Sequence, residues 1–256
     1  MQLSDYIDLL SYDAAFWMAG LNNPDYPVAQ LGGLSLEVSG KLRAMAILTI
    51  LVRNDCTLFY HNLIRSAGVR VTYLERLKRE GVNDDHHQAS GRYEALLDAI
   101  AANDFDLARK IVELSPKEWR TGHEYEDDYC YAQIFHRFAQ ETPPEQEIAP
   151  LLAQFETYMD GQPGARLDIC KALLKKNQSD FDEAFDALLN EREAKIIADK
   201  ERGQLEEPIV IANRLVFVEG LAILRLAEIR GLTTQQEYKY CPSLARVPMQ
   251  TPFLGE

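Results

Sequence analysis

RYEALLDAIAANDFDLARKIVELSPKEWRTGHEYEDDYCYAQIFHRFAQ, residues 92–140, is the stretch whose reading decides the fold. Apolar side chains recur at helical spacing, first at Leu96, Leu97, Ile100 and Ala101, then at Ala108, Ile111, Val112 and Leu114, on either side of Asn103-Asp104-Phe105-Asp106. The spacing predicts two short helices joined by a turn. Asp104 is suited to cap the second, because a carboxylate there accepts from amides without intrahelical partners, and Asp106 adds favourable charge to the first turn. A further helix is expected over residues 124–140, with Cys130, Ile134 and Phe138 on one side and Tyr131 and Phe135 beside them.

The pattern returns downstream. Ala172-Leu173-Leu174 precedes Asp180-Phe181-Asp182-Glu183-Ala184 as Ala95-Leu96-Leu97 precedes Asp104-Phe105-Asp106-Leu107-Ala108, with spacings that differ by one residue. A second capped hairpin, with Asp180 in the place of Asp104, is therefore expected as a repeated packing unit. Together with the absence of alternating strand patterns, this makes the fold class all-α: a multi-helix bundle with stacked helical hairpins, one domain over residues 1–256, divisible into an N-terminal sub-bundle, 1–88, and a helical-hairpin part, 89–256.

Working outward, helices are expected over residues 3–18, 35–53, 56–67, 70–80 and 145–159, with a loop over 20–33 and a break over 81–91. Ser115-Pro116-Lys117-Glu118-Trp119 reads as a Ser-capped helical turn, and Trp119 as a packing anchor. A long charged helix should end near residue 201, and another should run over 208–230 to Gly231. The proline-bearing tail, 237–256, should pack back on the bundle. The apolar run 209–229 is interrupted by Asn213, Arg214, Glu219, Arg225 and Glu228, which suits a core helix better than a membrane span. On one uninterrupted helix Glu219 lies opposite the other four, on the apolar side, and needs an Arg, Tyr or backbone donor from elsewhere.

The chain of 256 residues is 46% hydrophobic, enough for a substantial core, and carries a formal charge of −13. Nucleic acid and anionic membrane are thereby disfavoured as partners, and a basic protein surface is favoured. Residues 41–80 hold eight Lys/Arg against three Asp/Glu, a net +5 that leaves −18 for the rest; a solvated helix face accounts for those cations. Cys56, Cys130, Cys170 and Cys241 are widely spaced and form no CxxC pair, so neither zinc nor disulfides are indicated. The amino terminus, Met1-Gln2-Leu3-Ser4-Asp5, has no basic segment followed by an apolar run, so the expected location is cytoplasmic.

No phosphate loop, nucleophile elbow or zinc-protease helix occurs, and no catalytic residue or cofactor is expected. Two clusters contain metal-ligand types: Asp84, Asp85, His86 and His87, and His123 with Glu124, Glu126, Asp127 and Asp128. Adjacent side chains on a regular helix point about 100° apart, which keeps His86 and His87 from sharing an ion unless the backbone is irregular. His123 and Asp127 could face each other four residues apart, but the helix dipole already accounts for acids in a first turn. No metal is therefore expected. The second cluster has another reading: Glu124, Tyr125, Glu126, Asp127, Asp128 and Tyr129 form an acidic, tyrosine-bearing surface suited to a cationic protein partner, unless both tyrosines face the core.

The phrases Arg92-Tyr93-Glu94-Ala95-Leu96-Leu97, Asn103-Asp104-Phe105, Trp119, Glu124-Tyr125-Glu126-Asp127-Asp128 and Cys130-Tyr131 resemble the immunity protein 49 family of bacterial polymorphic toxin systems. So do Gly220-Leu221-Ala222, Leu226-Ala227-Glu228 and Cys241-Pro242-Ser243-Leu244. The resemblance implies a mostly helical, non-enzymatic antitoxin of interbacterial competition that protects its producer by binding a cognate toxin. Charge makes a basic nuclease acting in the cytoplasm the expected target. Two other readings stand beside it: a helical-repeat scaffold or chaperone for a cellular protein, from the paired hairpins, and a metal-dependent hydrolase, from the His/Asp clusters. Oligomeric state is not legible.

Overall fold

A computed structural model describes residues 3–203 and 207–255; Met1, Gln2 and Glu256, at the ends of the amino terminus and tail considered above, lie outside the described residues. The helices run in the order α1 (Leu3–Asn22), α2 (Val28–Arg53), α3 (Cys56–Glu80), α4 (Glu94–Ala101), α5 (Phe105–Leu114), α6 (Glu126–Phe138), α7 (Glu145–Tyr158), α8 (Ala165–Lys175), α9 (Gln178–Glu201), α10 (Pro208–Leu215) and α11 (Val218–Ile229), with short 3₁₀ turns at His86–Gln88 and Ser243–Arg246. There is no strand among the described residues beyond an isolated bridge between Tyr238 and Cys241, so the all-α architecture holds. No helix among them is long and apolar enough to cross a membrane.

The long α2 and α3 pack along each other, α1 lies on α2, and α3 reaches both arms of the α4–α5 hairpin. The hairpins α6–α7 and α8–α9 follow, while α10 returns to α2 and α11 to α4. One apolar cluster extends from Tyr6 and Ile7 through α3, α4, α6 and α8 to Ala245 in the tail. A smaller one joins Ala14, Leu21, Leu31, Leu34, Val38 and Leu42 to Val69, Tyr73, Leu74 and Leu77. Both α2 and α3 feed the two clusters, and Met45 and Leu114 touch both.

The first hairpin forms as its spacing predicts. Asp104 accepts from the Leu107 amide at 3.0 Å, and Asn103 makes the turn at φ 60°, the left-handed region that asparagine tolerates better than most residues. In the second hairpin the cap moves. Asn177, not Asp180, accepts from the amide three residues on, at 3.3 Å, and Asp180 sits inside the first turn of α9. Ala108 and Ala184 are both buried, four and seven residues beyond their respective caps, so the repeated Asp-Phe-Asp phrase occupies different helical positions in the two hairpins.

Other boundaries shift for local reasons. α2 begins at Val28, after Pro27, and contains Gly32 and Gly33, which the sequence suggests as loop. A Cβ on Gly32 would lie 2.4 Å from His87 Nδ1, so the glycine is there to let the His86–Gln88 turn approach the helix. α3 is continuous through Gly68 instead of two helices. Ser115 starts no helical turn, since its hydroxyl donates back to the Ile111 carbonyl at 2.7 Å and closes α5. The 208–230 helix breaks at Val216 and Phe217, where the Phe217 amide donates to the Tyr240 carbonyl at 2.8 Å and the tail takes the place of a helical hydrogen bond. The tail packs back as expected: Tyr60 donates to the Ala245 carbonyl at 3.1 Å, and the Phe253 ring lies against His61.

The cations of residues 41–80 are not simply a solvated face. Arg43 makes a two-point ion pair with fully buried Asp98 at 2.6 and 2.7 Å, and Ser66 donates to the same carboxylate at 2.6 Å. Lys41, itself buried, meets Asp13 and Glu37. Buried Arg70 donates to the carbonyls of His87, Gln88 and Ala89 at 2.5, 2.9 and 3.1 Å, and buried Arg76 to those of Asn23 and Tyr26 at 3.1 Å each. Guanidinium groups with several fixed donors can satisfy several loop carbonyls at once, so these arginines hold connections in place.

Candidate functional site

The acidic stretch leads into α6 through a turn with Gly122 at φ 81°. Tyr125 is the extended residue before the helix and supplies no side-chain cap, and Glu126, Asp127 and Asp128 lie in the first turn, where the helix dipole favours negative charge. The six residues singled out from the sequence divide into outward and inward sets. Tyr125 is 78% exposed, with Glu126, Asp127 and Asp128 partly exposed beside it.

Glu124 turns inward. Its carboxylate accepts from the Gly91 amide and, at 3.1 Å, from the Ser90 hydroxyl, and burial raises its pKa above the ordinary glutamate value. Gly91 is required by this approach, because a Cβ there would meet the carboxylate oxygen at 2.9 Å. Tyr129 is buried, and its hydroxyl donates to the Lys117 carbonyl at 2.8 Å. Trp119 Nε1 donates to the Glu124 carbonyl at 3.3 Å. Glu124, Tyr129 and Trp119 therefore fix the approach to α6 from behind, while Tyr125 is exposed and the following acids are partly exposed.

Asp128 connects this surface to a polar network in the bundle. It lies 3.5 Å from the Tyr93 hydroxyl and 3.8 Å from Arg166, and burial, then the charge of Asp127, raises its pKa. Arg166 donates to both Glu219 oxygens at 2.7 and 2.8 Å, and Tyr131 donates to the same carboxylate at 2.9 Å. Glu219 thus has both an arginine and a tyrosine, the partners its apolar position demands. Burial, then the Glu219 charge, pushes the Tyr93 and Tyr131 hydroxyls well above their ordinary range. The Arg166 guanidinium lies over the rings of Tyr131 and Tyr93, at 5.0 and 5.6 Å.

Arg166 also separates two clefts. One, of about 230 Å³, is bounded by Asp127, Asp128, Phe155 and Met159. The other, of about 350 Å³, is bounded by Arg43, Glu94, Lys195 and Phe217. The sequence reading missed Arg166, although a signal is present. An arginine in the first turn of a helix, here α8, opposes the dipole and calls for a separate carboxylate.

The two His/Asp clusters come together differently from their spacing. His123 precedes α6 and pairs with Asp84 at 3.3 Å, so it does not face Asp127 along a helix. Asp85 caps the His86–Gln88 turn by accepting from the His87 amide at 2.9 Å, and also lies 2.9 Å from His87 Nδ1. Although burial opposes it, hydrogen bonding from His87 holds the Asp85 pKa below the usual carboxylate value. Because the backbone there is a 3₁₀ turn and not an α-helix, one donor atom each from Asp85, His86 and His87 falls within 4.8 Å of the others, a donor set of the kind zinc accepts.

The Immunity protein 49 family model matches residues 44–245, which include the acidic stretch, Arg166 and Glu219. No curated protein and no solved structure matches the chain.

Proposed function

Because the chain belongs to the Immunity protein 49 family, we propose that it neutralises a basic bacterial nuclease in the cytoplasm by binding it through the acidic start of α6. The observation that carries this reading is the largely exposed Tyr125 ring beside Glu126, Asp127 and Asp128. An amphipathic aromatic residue provides short-range contact area, and the surrounding carboxylates steer a cationic partner in a chain of net charge −13. Glu124 and Tyr129 contribute as braces that hold this surface in shape. Nuclease domains carry basic surfaces for their substrate, and an acidic protein can cover one without turnover or a cofactor of its own.

The test is binding to the product of the neighbouring toxin gene across a salt series, with a co-expression survival assay. Neutralising Glu126, Asp127 and Asp128 to Gln or Asn should slow association, flatten its salt dependence and reduce protection while helicity is retained. Unchanged association and full protection would place the interface elsewhere.

A further inference from the structure

A cleft of about 720 Å³ lies apart from the acidic surface, between α5, the last turn of α6 and the start of α7. Its walls carry Arg109, Lys117 and Arg137 against Glu141 and Glu147, three cations to two carboxylates in a chain of net charge −13. Lys117 meets no carboxylate at ion-pair distance among the described residues; its ammonium donates to the Val112 carbonyl. Arg137 is held in place by the Gln133 side chain at 2.5 Å and by Glu147 at 3.4 Å.

His136 lines the same cleft. It is only 2% exposed, and its Nδ1 is buried without a hydrogen-bond partner among the described residues. An unpaired buried polar atom is costly, and His136, which lines the cleft, carries one. The start of α7 adds to the wall: Pro144 gives no side-chain cap to the positive end of this 14-residue helix, and the Glu147 amide donates to the Pro144 carbonyl at 2.9 Å. We propose that this cleft binds a phosphate-type oxyanion, with Arg109, Lys117 and Arg137 supplying charge and the His136 imidazole supplying a short-range hydrogen bond. Burial, then the Lys117 and Arg137 charges, lowers the His136 pKa to about 3, so the imidazole is neutral in the free cleft.

The experiment is calorimetric titration of the intact chain with inorganic phosphate at constant ionic strength, chloride being the control, with AMP as a second arm to distinguish free from nucleotide-borne phosphate. Saturable phosphate binding that chloride does not reproduce is expected, weakened about tenfold or more in Arg137→Gln because a charge-assisted hydrogen bond is lost. Glu141→Gln, which removes a repelling carboxylate without removing a donor, should tighten it. Stronger binding of AMP than of phosphate would assign the oxyanion to a nucleotide, and equal or weaker binding would assign it to the free ion. Absence of saturable binding by either, or binding indifferent to both substitutions in proteins with unaltered circular dichroism, would overturn the proposal.

Discussion

Arg166 on α8 and Glu219 on α11, 53 residues apart in sequence, form a two-point ion pair that Tyr131 on α6 completes from a third helix. The pair ties the second hairpin to the core at the position where the tail breaks α10 from α11. Glu219 is nearly buried while Arg166 keeps some access to water. Removing the carboxylate leaves the Tyr131 hydroxyl without this acceptor and Arg166 with only Asp128, at 3.8 Å, and water. Glu219→Ala should therefore cost about 3 kcal/mol, the low end for breaking a buried pair, and Glu219→Gln less. Urea unfolding would measure this, and an unchanged midpoint in Glu219→Ala would show that the network contributes no stability.

The caps give a second prediction. Asp104→Ala and Asn177→Ala should each cost about 1 kcal/mol, whereas Asp180→Ala, which removes first-turn charge but no cap, should cost only a few tenths. Thermal melting of the three variants would decide it. Equal losses for Asn177→Ala and Asp180→Ala would contradict the cap assignment.

These cases show what was legible. Helix type and the first hairpin could be read because apolar spacing and turn chemistry are local, and Asp104 acts on an amide three residues away. Asn177 is the less visible cap because the likeness between the two Asp-Phe-Asp phrases points to Asp180, whereas the better local cap stands just ahead of it. The break at Val216 could not be read, since the group that replaces the helical hydrogen bond is the Tyr240 carbonyl, brought in by tertiary packing. The need for a partner at Glu219 was visible in its apolar surroundings, but not which helix supplies it. At the acidic stretch the residue types were apparent, whereas the division between outward Tyr125 and inward Glu124 and Tyr129 depends on Ser90, Gly91 and Lys117, distant in the chain.

His136 predicts a pH dependence. Its imidazole is buried among Lys117, Arg137 and Arg70 and titrates near 3 when folded, against 6.5 for the free side chain. A depressed folded pKa means that the unfolded chain takes up the proton first, so stability is intact above 6.5 and declines as pH falls towards 3. Between pH 7 and pH 5, above the carboxylate range, the loss should be about 2 kcal/mol. Urea unfolding in phosphate-free buffer should show that loss in the natural chain and a smaller one in His136→Gln. Identical pH slopes for the two would mean that His136 is not held neutral by the fold.

The two tyrosines of the acidic stretch allow recognition to be separated from folding. Tyr125 is exposed and makes no side-chain cap, so Tyr125→Ala should leave the melting temperature nearly unchanged. If its ring anchors the toxin, affinity should fall by about 2 kcal/mol, the scale of an aromatic hot spot, chiefly through faster dissociation. Tyr129→Phe should behave in the opposite way. It removes the hydroxyl of buried Tyr129 that is bonded to the Lys117 carbonyl and lowers stability by about 1 kcal/mol with little effect on binding. Calorimetric melting and toxin dissociation rates measured on both variants would test the division. Loss of affinity in Tyr129→Phe with none in Tyr125→Ala would assign partner contact to the inward side of α6 and remove Tyr125 from the interface.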